Sequence, residues 1–535
     1  MSLKYRYLQF GLLLLSIGCG CALIIGCADD AEQKQELAID SVEDENPTEQ
    51  PEVETSAGPI VAEKTPDEVN HNQPTNPGVL YDGWENPVFV LVFTGRQYGY
   101  IEPCGCTGLD RQKGGLARRH TFLQGLRERD WQVVSIDAGN QVRRFGRQPE
   151  LKFNLTAELL SKMEYQAVGI GPADLKLPAG ELFAVAAVND DNHSMFISSN
   201  VAILDREFTR RFQVITTDDS SVGVASIISE KLLESFFSDD LIVESTQDAL
   251  AAVVDDAEFQ KTDYKVLVVH GTLDYVRDLA KENSGFDLFV CAGAPGEPAY
   301  ELEEVQGSAR KILKVGEKSM YASVVGFFAA DHGREQLKYQ RVALDASYDD
   351  SREVLAMFKQ YQEELERAGF QGLGIQAEEH PSGHRFVGSQ SCAQCHQEAF
   401  DIWKSSPHSH ATQSLIAPHG RAEIPRQFDP ECLSCHSTGW QAQQYVPYES
   451  GFMSLAETMR LEGNGCENCH GPASEHVRLE SDPASAEAEL DSLRQLLHRD
   501  LKEAKNSCLE CHDLDNSPDF HVDGAFDDYW SRIAH

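Results

Sequence analysis

Between residues 86 and 344 the chain alternates short apolar runs with amphipathic stretches. VFVLVF, WQVVSID and QAVGIG, and later KVLVVH, FDLFVCAG, ARKILKV, YASVVGFFA and LKYQRVAL, are bounded by Gly, Pro, Asn or Asp and predict strands. The segments GGLARRHTFLQGLRER, LTAELLSKM and LDYVRDLAKE carry helical spacing between them. Such alternation predicts an α/β domain over residues 86–347. Over residues 350–368, Val354, Leu355, Phe358, Tyr361 and Leu365 share one helical face, so a docked helix is expected to link this domain, within 348–379, to the C-terminal part of the chain. From His380 onward the strand pattern stops, and 13 of the 18 histidines fall in residues 380–535. An aliphatic core of ordinary size is not written into that part.

The start of the chain has a different texture. A basic opening and an apolar run from Phe10 to Ile25 read as an export signal over residues 1–26. Ile24, Ile25, Gly26 and Cys27 resemble the bacterial lipobox, which implies that Cys27 becomes a lipidated N-terminus on the periplasmic or outer-envelope face, with Cys19 and Cys21 lost. An uncleaved membrane anchor is the competing reading of the same run. The acidic spacer after it favours the lipoprotein. Residues 27–85 are poor in aromatics, and residues 29–68 hold 14 acidic and 2 basic side chains, as expected of a disordered tether. The whole chain has a formal charge of −40, which argues against nucleic-acid binding and leaves redox proteins and a lipid-anchored membrane contact as expected partners.

The pattern C-x-x-C-H occurs four times: Cys392, Cys395 and His396; Cys432, Cys435 and His436; Cys466, Cys469 and His470; Cys508, Cys511 and His512. With 14 Cys and 18 His in 535 residues, chance predicts roughly 0.01 such matches. Two cysteines three positions apart form thioethers to both vinyl groups of a haem, and the adjoining histidine reaches the iron. Zinc sites or disulfides are the alternatives, but a histidine directly after every second cysteine in an exported chain favours four covalently bound haem c groups. Nine further histidines in this region are candidate distal ligands: His380, His384, His408, His410, His419, His476, His498, His521 and His535. A second histidine saturates an iron for electron transfer, whereas an open position suits small-molecule chemistry.

The stretches FVGSQSCAQCHQEAFDIWKSSPHSHA, CLSCHSTGW, GCENCHGPASEHV and CLECHDLDNSPDF, with the terminal YWSRIAH, resemble the tetrahaem cytochrome c554 family. The resemblance covers residues 384–535 and implies a mainly α-helical multihaem domain, with His408 and His476 as distal ligands, His535 next, and His384 and His410 after them. Trp403 is expected to pack on a haem face.

The run FTGRQYGYIEPCGCTGLDRQKGGLARR, then SIDAGN, VGIGPADL, VVHG and VCAGAP, is similar in order to the 5′-nucleotidase and calcineurin-like metallophosphatases. That resemblance implies a four-layer β-sandwich with flanking helices. In such enzymes two metals held by carboxylates and imidazoles activate water. Here Arg96 and Tyr98 stand where the first Asp and His belong, Asn140 replaces an Asp, Pro172 and Ala173 replace Asn and His, and Ala294 and Gly296 replace the last two His. His270 alone matches a ligand outright, so the domain is expected to be a catalytically silent scaffold. Cys104 and Cys106 in EPCGC are either an inert disulfide or a candidate redox pair, and Cys291 reads as a buried core thiol. The leading expectation is an electron carrier. A redox enzyme acting on a small nitrogen or oxygen species at an open iron is the first alternative, and a metal-dependent phosphohydrolase the second.

Overall fold

The computed structural model describes residues 80–104, 112–187, 194–236, 238–331, 334–418 and 424–535. The signal, Cys27, the acidic tether up to residue 79, Cys106 and His419 lie outside the described residues. Residues 70–535 form one compact unit. Described structure begins ahead of the boundary expected at residue 86: Tyr81 is buried, with its ring edge-on to Trp84 and Trp131 at 5.3 Å each.

The apolar runs form two six-stranded sheets. One orders its strands Arg334–Ala343, Tyr321–Asp331, Phe89–Thr94, Val133–Asp137, Tyr165–Gly169 and Phe196–Ile197. The other orders Glu303–Glu304, Lys311–Lys314, Leu288–Cys291, Tyr264–His270, Ser221–Ile228 and Phe212–Thr216. Central strands pair in parallel, Phe89–Thr94 with Val133–Asp137 and Leu288–Cys291 with Tyr264–His270. Parallel strands covered on both faces need apolar residues at every position, which is why these segments read as continuous runs rather than as alternation.

Burial resolves four layers. Phe89, Leu91 and Phe93 meet Val222, Val224, Val266, Val268, Leu288 and Val290 between the sheets. Val90 and Val92 face outward into a core shared with Leu116, Phe122, Leu123, Leu159 and Leu160 of two helices, Leu116–Arg127 and Arg147–Lys162. Ala225, Ile227, Leu267 and Val269 pack the far face of the second sheet against Val253, Phe259 and Val276. Cys291 is fully buried in that last layer. The helix Arg352–Gly372 docks the predicted face, Val354, Leu355, Phe358, Tyr361 and Leu365, into the first core.

Among the described residues the C-terminal part is a succession of short helices, interrupted only by a pair of two-residue strands, Trp440–Gln441 and Val446–Pro447, where no strand is expected from the sequence. Its one apolar cluster among the described residues centres on Phe386, Leu415, Leu433, Trp440, Phe452 and Leu461. So small a core for residues 380–535 leaves the interior of this part to another material.

Candidate haem sites and a buried polar cluster

Each C-x-x-C-H segment sits on or at the end of a short helix, in Ser389–Cys392, Pro430–His436, Cys466–His470 and Leu501–Cys511. The local sequence explains the placement. Asp429 caps Pro430–His436 by accepting from the Glu431 N–H, and Pro430 occupies the first turn. Asp500 and Glu503 form a reciprocal capping box on Leu501–Cys511. Glu467, inside the third motif, is buried and accepts backbone N–H donors from Val387, Gly388 and Ala473 at 2.7–3.0 Å, tying this helix to the segment before the first motif.

Three motif histidines face a histidine distant in sequence. The His396 and His476 rings lie 6.5 Å apart, centre to centre, at 29°; His512 and His408 are 6.1 Å apart at 52°; His470 and His535 are 5.9 Å apart at 53°. Two imidazoles bonded at about 2 Å to opposite sides of one metal ion have ring centres about 6 Å apart, so these spacings fit an iron between each pair. The Nδ1 atoms are tied elsewhere: His470 Nδ1 to the Leu497 carbonyl at 2.7 Å, His436 Nδ1 to the Ala411 carbonyl at 2.8 Å and His512 Nδ1 to Ser517 Oγ at 3.0 Å. That arrangement fixes the ring and leaves Nε2 for a metal. His384 belongs to none of the three ring pairs and lies near His380 and Glu475. Trp403 donates its indole N–H to the Asn464 carbonyl at 2.8 Å.

The cysteine pairs also meet. Cys392 lies beside Cys466, Cys435 beside Cys511 and Cys469 near Cys508. The attachment segments therefore adjoin in the order first, third, fourth, second. Among the described residues no group of three or more His, Cys, Asp or Glu side chains gathers around a point that a bare metal ion would fill. Three of the four motif imidazoles meet a second imidazole, a donor set that would fit haem iron.

In the α/β part the positions that the metallophosphatase resemblance singles out do converge, but with other chemistry. Arg96 is buried, and its guanidinium donates to the Ala294 carbonyl at 2.5 Å and to Glu317 at 2.8 Å. Asn140 Nδ2 lies 3.4 Å from both Tyr98 Oη and His270 Nδ1, and Asn140 Oδ1 accepts the Ala173 N–H at 2.8 Å. Arg96, Tyr98 and Asn140 keep left-handed φ values of 54°, 50° and 59°, a backbone cost that persists where surrounding structure enforces it. His270 is buried, with no hydrogen-bond partner for Nε2, and burial together with the Arg96 cation pushes its pKa down to about 3. One strand-end carboxylate, Asp137, pairs instead with Arg119 at 3.2 Å, both side chains being fully buried, and also accepts from Thr94 at 2.8 Å and Gln141 at 2.6 Å. Cys104 is half of a disulfide whose other half lies outside the described residues.

Two residues of the α/β part that the sequence did not single out, Gln148 and Lys152, reach the start of the second attachment helix. The Asp-Pro pair just ahead of CLSCH was the available signal for the helix start, though not for its partners.

Paired imidazoles beside C-x-x-C cysteines mark the C-terminal part, which is joined to a mixed α/β domain of two six-stranded sheets. The family model for cytochrome c554 and c-prime matches residues 391–471, which implies covalently bound haem c. Cytochrome c-554 of Nitrosomonas europaea is 29% identical over 97 residues, a match covering 16% of this chain and 38% of the length of that cytochrome. A 5′-nucleotidase precursor from Thermus thermophilus superposes with a TM-score of 0.46 at 12% identity, covering 77% of this chain and 97% of that one. The sulfate thiohydrolase SoxB of Thermus thermophilus superposes with a TM-score of 0.44 at 11% identity, covering 54% of this chain and 62% of that one.

Proposed function

We propose that this protein is an exported, lipid-anchored tetrahaem c-type cytochrome that passes electrons between redox proteins at the periplasmic or outer-envelope face, with its α/β domain acting as a catalytically silent scaffold. The observation that carries the reading is the set of three imidazole pairs at 5.9–6.5 Å, each joining a C-x-x-C-H histidine to a histidine far away in sequence. Bound haem supplies a one-electron Fe(III)/Fe(II) couple. Cys392, Cys395, Cys432, Cys435, Cys466, Cys469, Cys508 and Cys511 hold the four groups, and His396, His436, His470 and His512 ligate from the near side. His476, His535 and His408 would supply the second imidazole to the groups held by His396, His470 and His512. Contacts between cysteines of adjoining sites support haem edges close enough for electron exchange.

The silent scaffold is supported by the donor set at the former metal centre. A guanidinium, a phenol, a carboxamide and one imidazole supply too few anionic or neutral ligands for two cations, and the Arg96 cation repels them. Coulometric titration of the mature holoprotein tests the proposal: four electrons per chain are expected over the full reduction. Uptake of none would overturn it.

A further inference from the structure

The second attachment helix, Pro430–His436, begins in a set of charges contributed by both parts of the molecule. Its cap, Asp429, is buried and takes one amide donor on each carboxylate oxygen, Gln148 Nε2 at 2.8 Å and Gln362 Nε2 at 2.9 Å. The next acidic residue, Glu431, immediately precedes Cys432 and accepts Lys152 Nζ at 2.6 Å. Lys152, from the α/β helix Arg147–Lys162, has a side chain only 7% exposed and also donates to the Gly99 carbonyl at 3.0 Å. Arg426 holds Glu102 through two bonds of 2.9 Å. Asp429, Arg426, Glu102 and Glu431 all act electrostatically on the Cys432 sulfur.

We propose that Lys152 is a positioning residue for the haem attached at Cys432 and Cys435: by neutralising Glu431 one residue ahead of the first thioether, the α/β domain sets the potential of that haem. The proposal rests on the reading that this motif carries haem. Reduction adds one negative charge at the site, so a carboxylate left without its cation disfavours the reduced form. Conversely, a lysine left without its carboxylate favours it. In a partly buried setting one uncompensated unit charge shifts a one-electron equilibrium by on the order of tenfold, which corresponds to about 59 mV.

Spectroelectrochemical titration of the full-length holoprotein provides the test. In Lys152→Met one component of the titration is expected to fall by about 59 mV while the others stay. In Glu431→Gln the same component rises, and in the double variant Lys152→Met/Glu431→Gln it returns close to the wild-type position. Opposite signs separate charge from packing, because loosening the helix would move both single variants the same way. Shifts of the same sign, or a component indifferent to all three changes, would overturn the proposal. Should Lys152→Met fail to accumulate, the rise in Glu431→Gln and the return in the double variant carry the same decision. Mass analysis of the proteolytic peptide containing Cys432 and Cys435 distinguishes the underlying reading: a bare peptide overturns both, whereas a haem-bearing peptide with unmoved potentials overturns the electrostatic role alone.

Discussion

Replacing His476 by alanine removes one ring from the pair it forms with His396 at 6.5 Å. A methyl group cannot span that gap. The Glu480 carboxylate, 4.0 Å from His476 Nδ1, is held at 2.8 Å by Arg494, so it stays off the vacated position. On the proposed function, an iron held by His396 would then keep one protein ligand and turn high-spin, while the other two ring pairs are untouched. If the three pairs hold bis-imidazole low-spin iron as proposed, integration of the low-spin ferric resonance should show a loss of about one third, matched by a new high-spin signal that binds carbon monoxide after reduction. His384→Ala, outside every ring pair, should leave the low-spin intensity unchanged. Full low-spin intensity in His476→Ala, or an equal loss in His384→Ala, would refute the assignment of axial partners.

The α/β domain yields three further expectations. Arg119→Met leaves the fully buried Asp137 carboxylate without its cation, so the unfolding transition followed by Trp84 and Trp131 fluorescence should lose about 3–5 kcal/mol; an unchanged transition would contradict a structural role for the pair. His270 is held neutral, with a folded pKa of about 3 against 6.5, so its contribution is complete above about pH 6.5 and is lost as pH falls toward 3, by about 1.4 kcal/mol per unit. Because burial raises Asp174 to about 6 and so opposes this slope, the quantity to follow is the stability difference between wild type and His270→Gln, which should shrink on acidification and would argue against the buried neutral imidazole if it stayed flat. Finally, the full chain supplied with manganese should not hydrolyse generic phosphate esters above the buffer rate, and robust turnover abolished by His270→Gln would reverse the scaffold reading.

How much could be read from the sequence depends on how locally each feature is encoded. Each C-x-x-C-H motif sits within five consecutive residues, and the strands of the α/β domain announce themselves because both of their faces are buried, as at Val90 to Phe93. The expectation of a silent α/β domain rests on substitutions alone, since Arg96 and Ala294 cannot take the part of an Asp and a His. Axial pairing is another matter. His476, His408 and His535 could be named as candidates, but the choice of partner for each depends on chain reversals between short helices that carry little periodicity. Arg119 and Lys152 look like solvent-facing positions of amphipathic helices, and only tertiary packing against Asp137 and Glu431 reveals them as buried cations. The early order at Tyr81 was hidden for a similar reason: its partner Trp131 lies across the fold.

Intact-mass and peptide-mass analysis of mature protein, purified from cells competent for haem attachment, tests the central claim most directly. Four haem increments per chain are predicted, one on each of the peptides containing Cys392 and Cys395, Cys432 and Cys435, Cys466 and Cys469, and Cys508 and Cys511. A mass equal to the polypeptide alone, with those eight thiols free to alkylate, would contradict it.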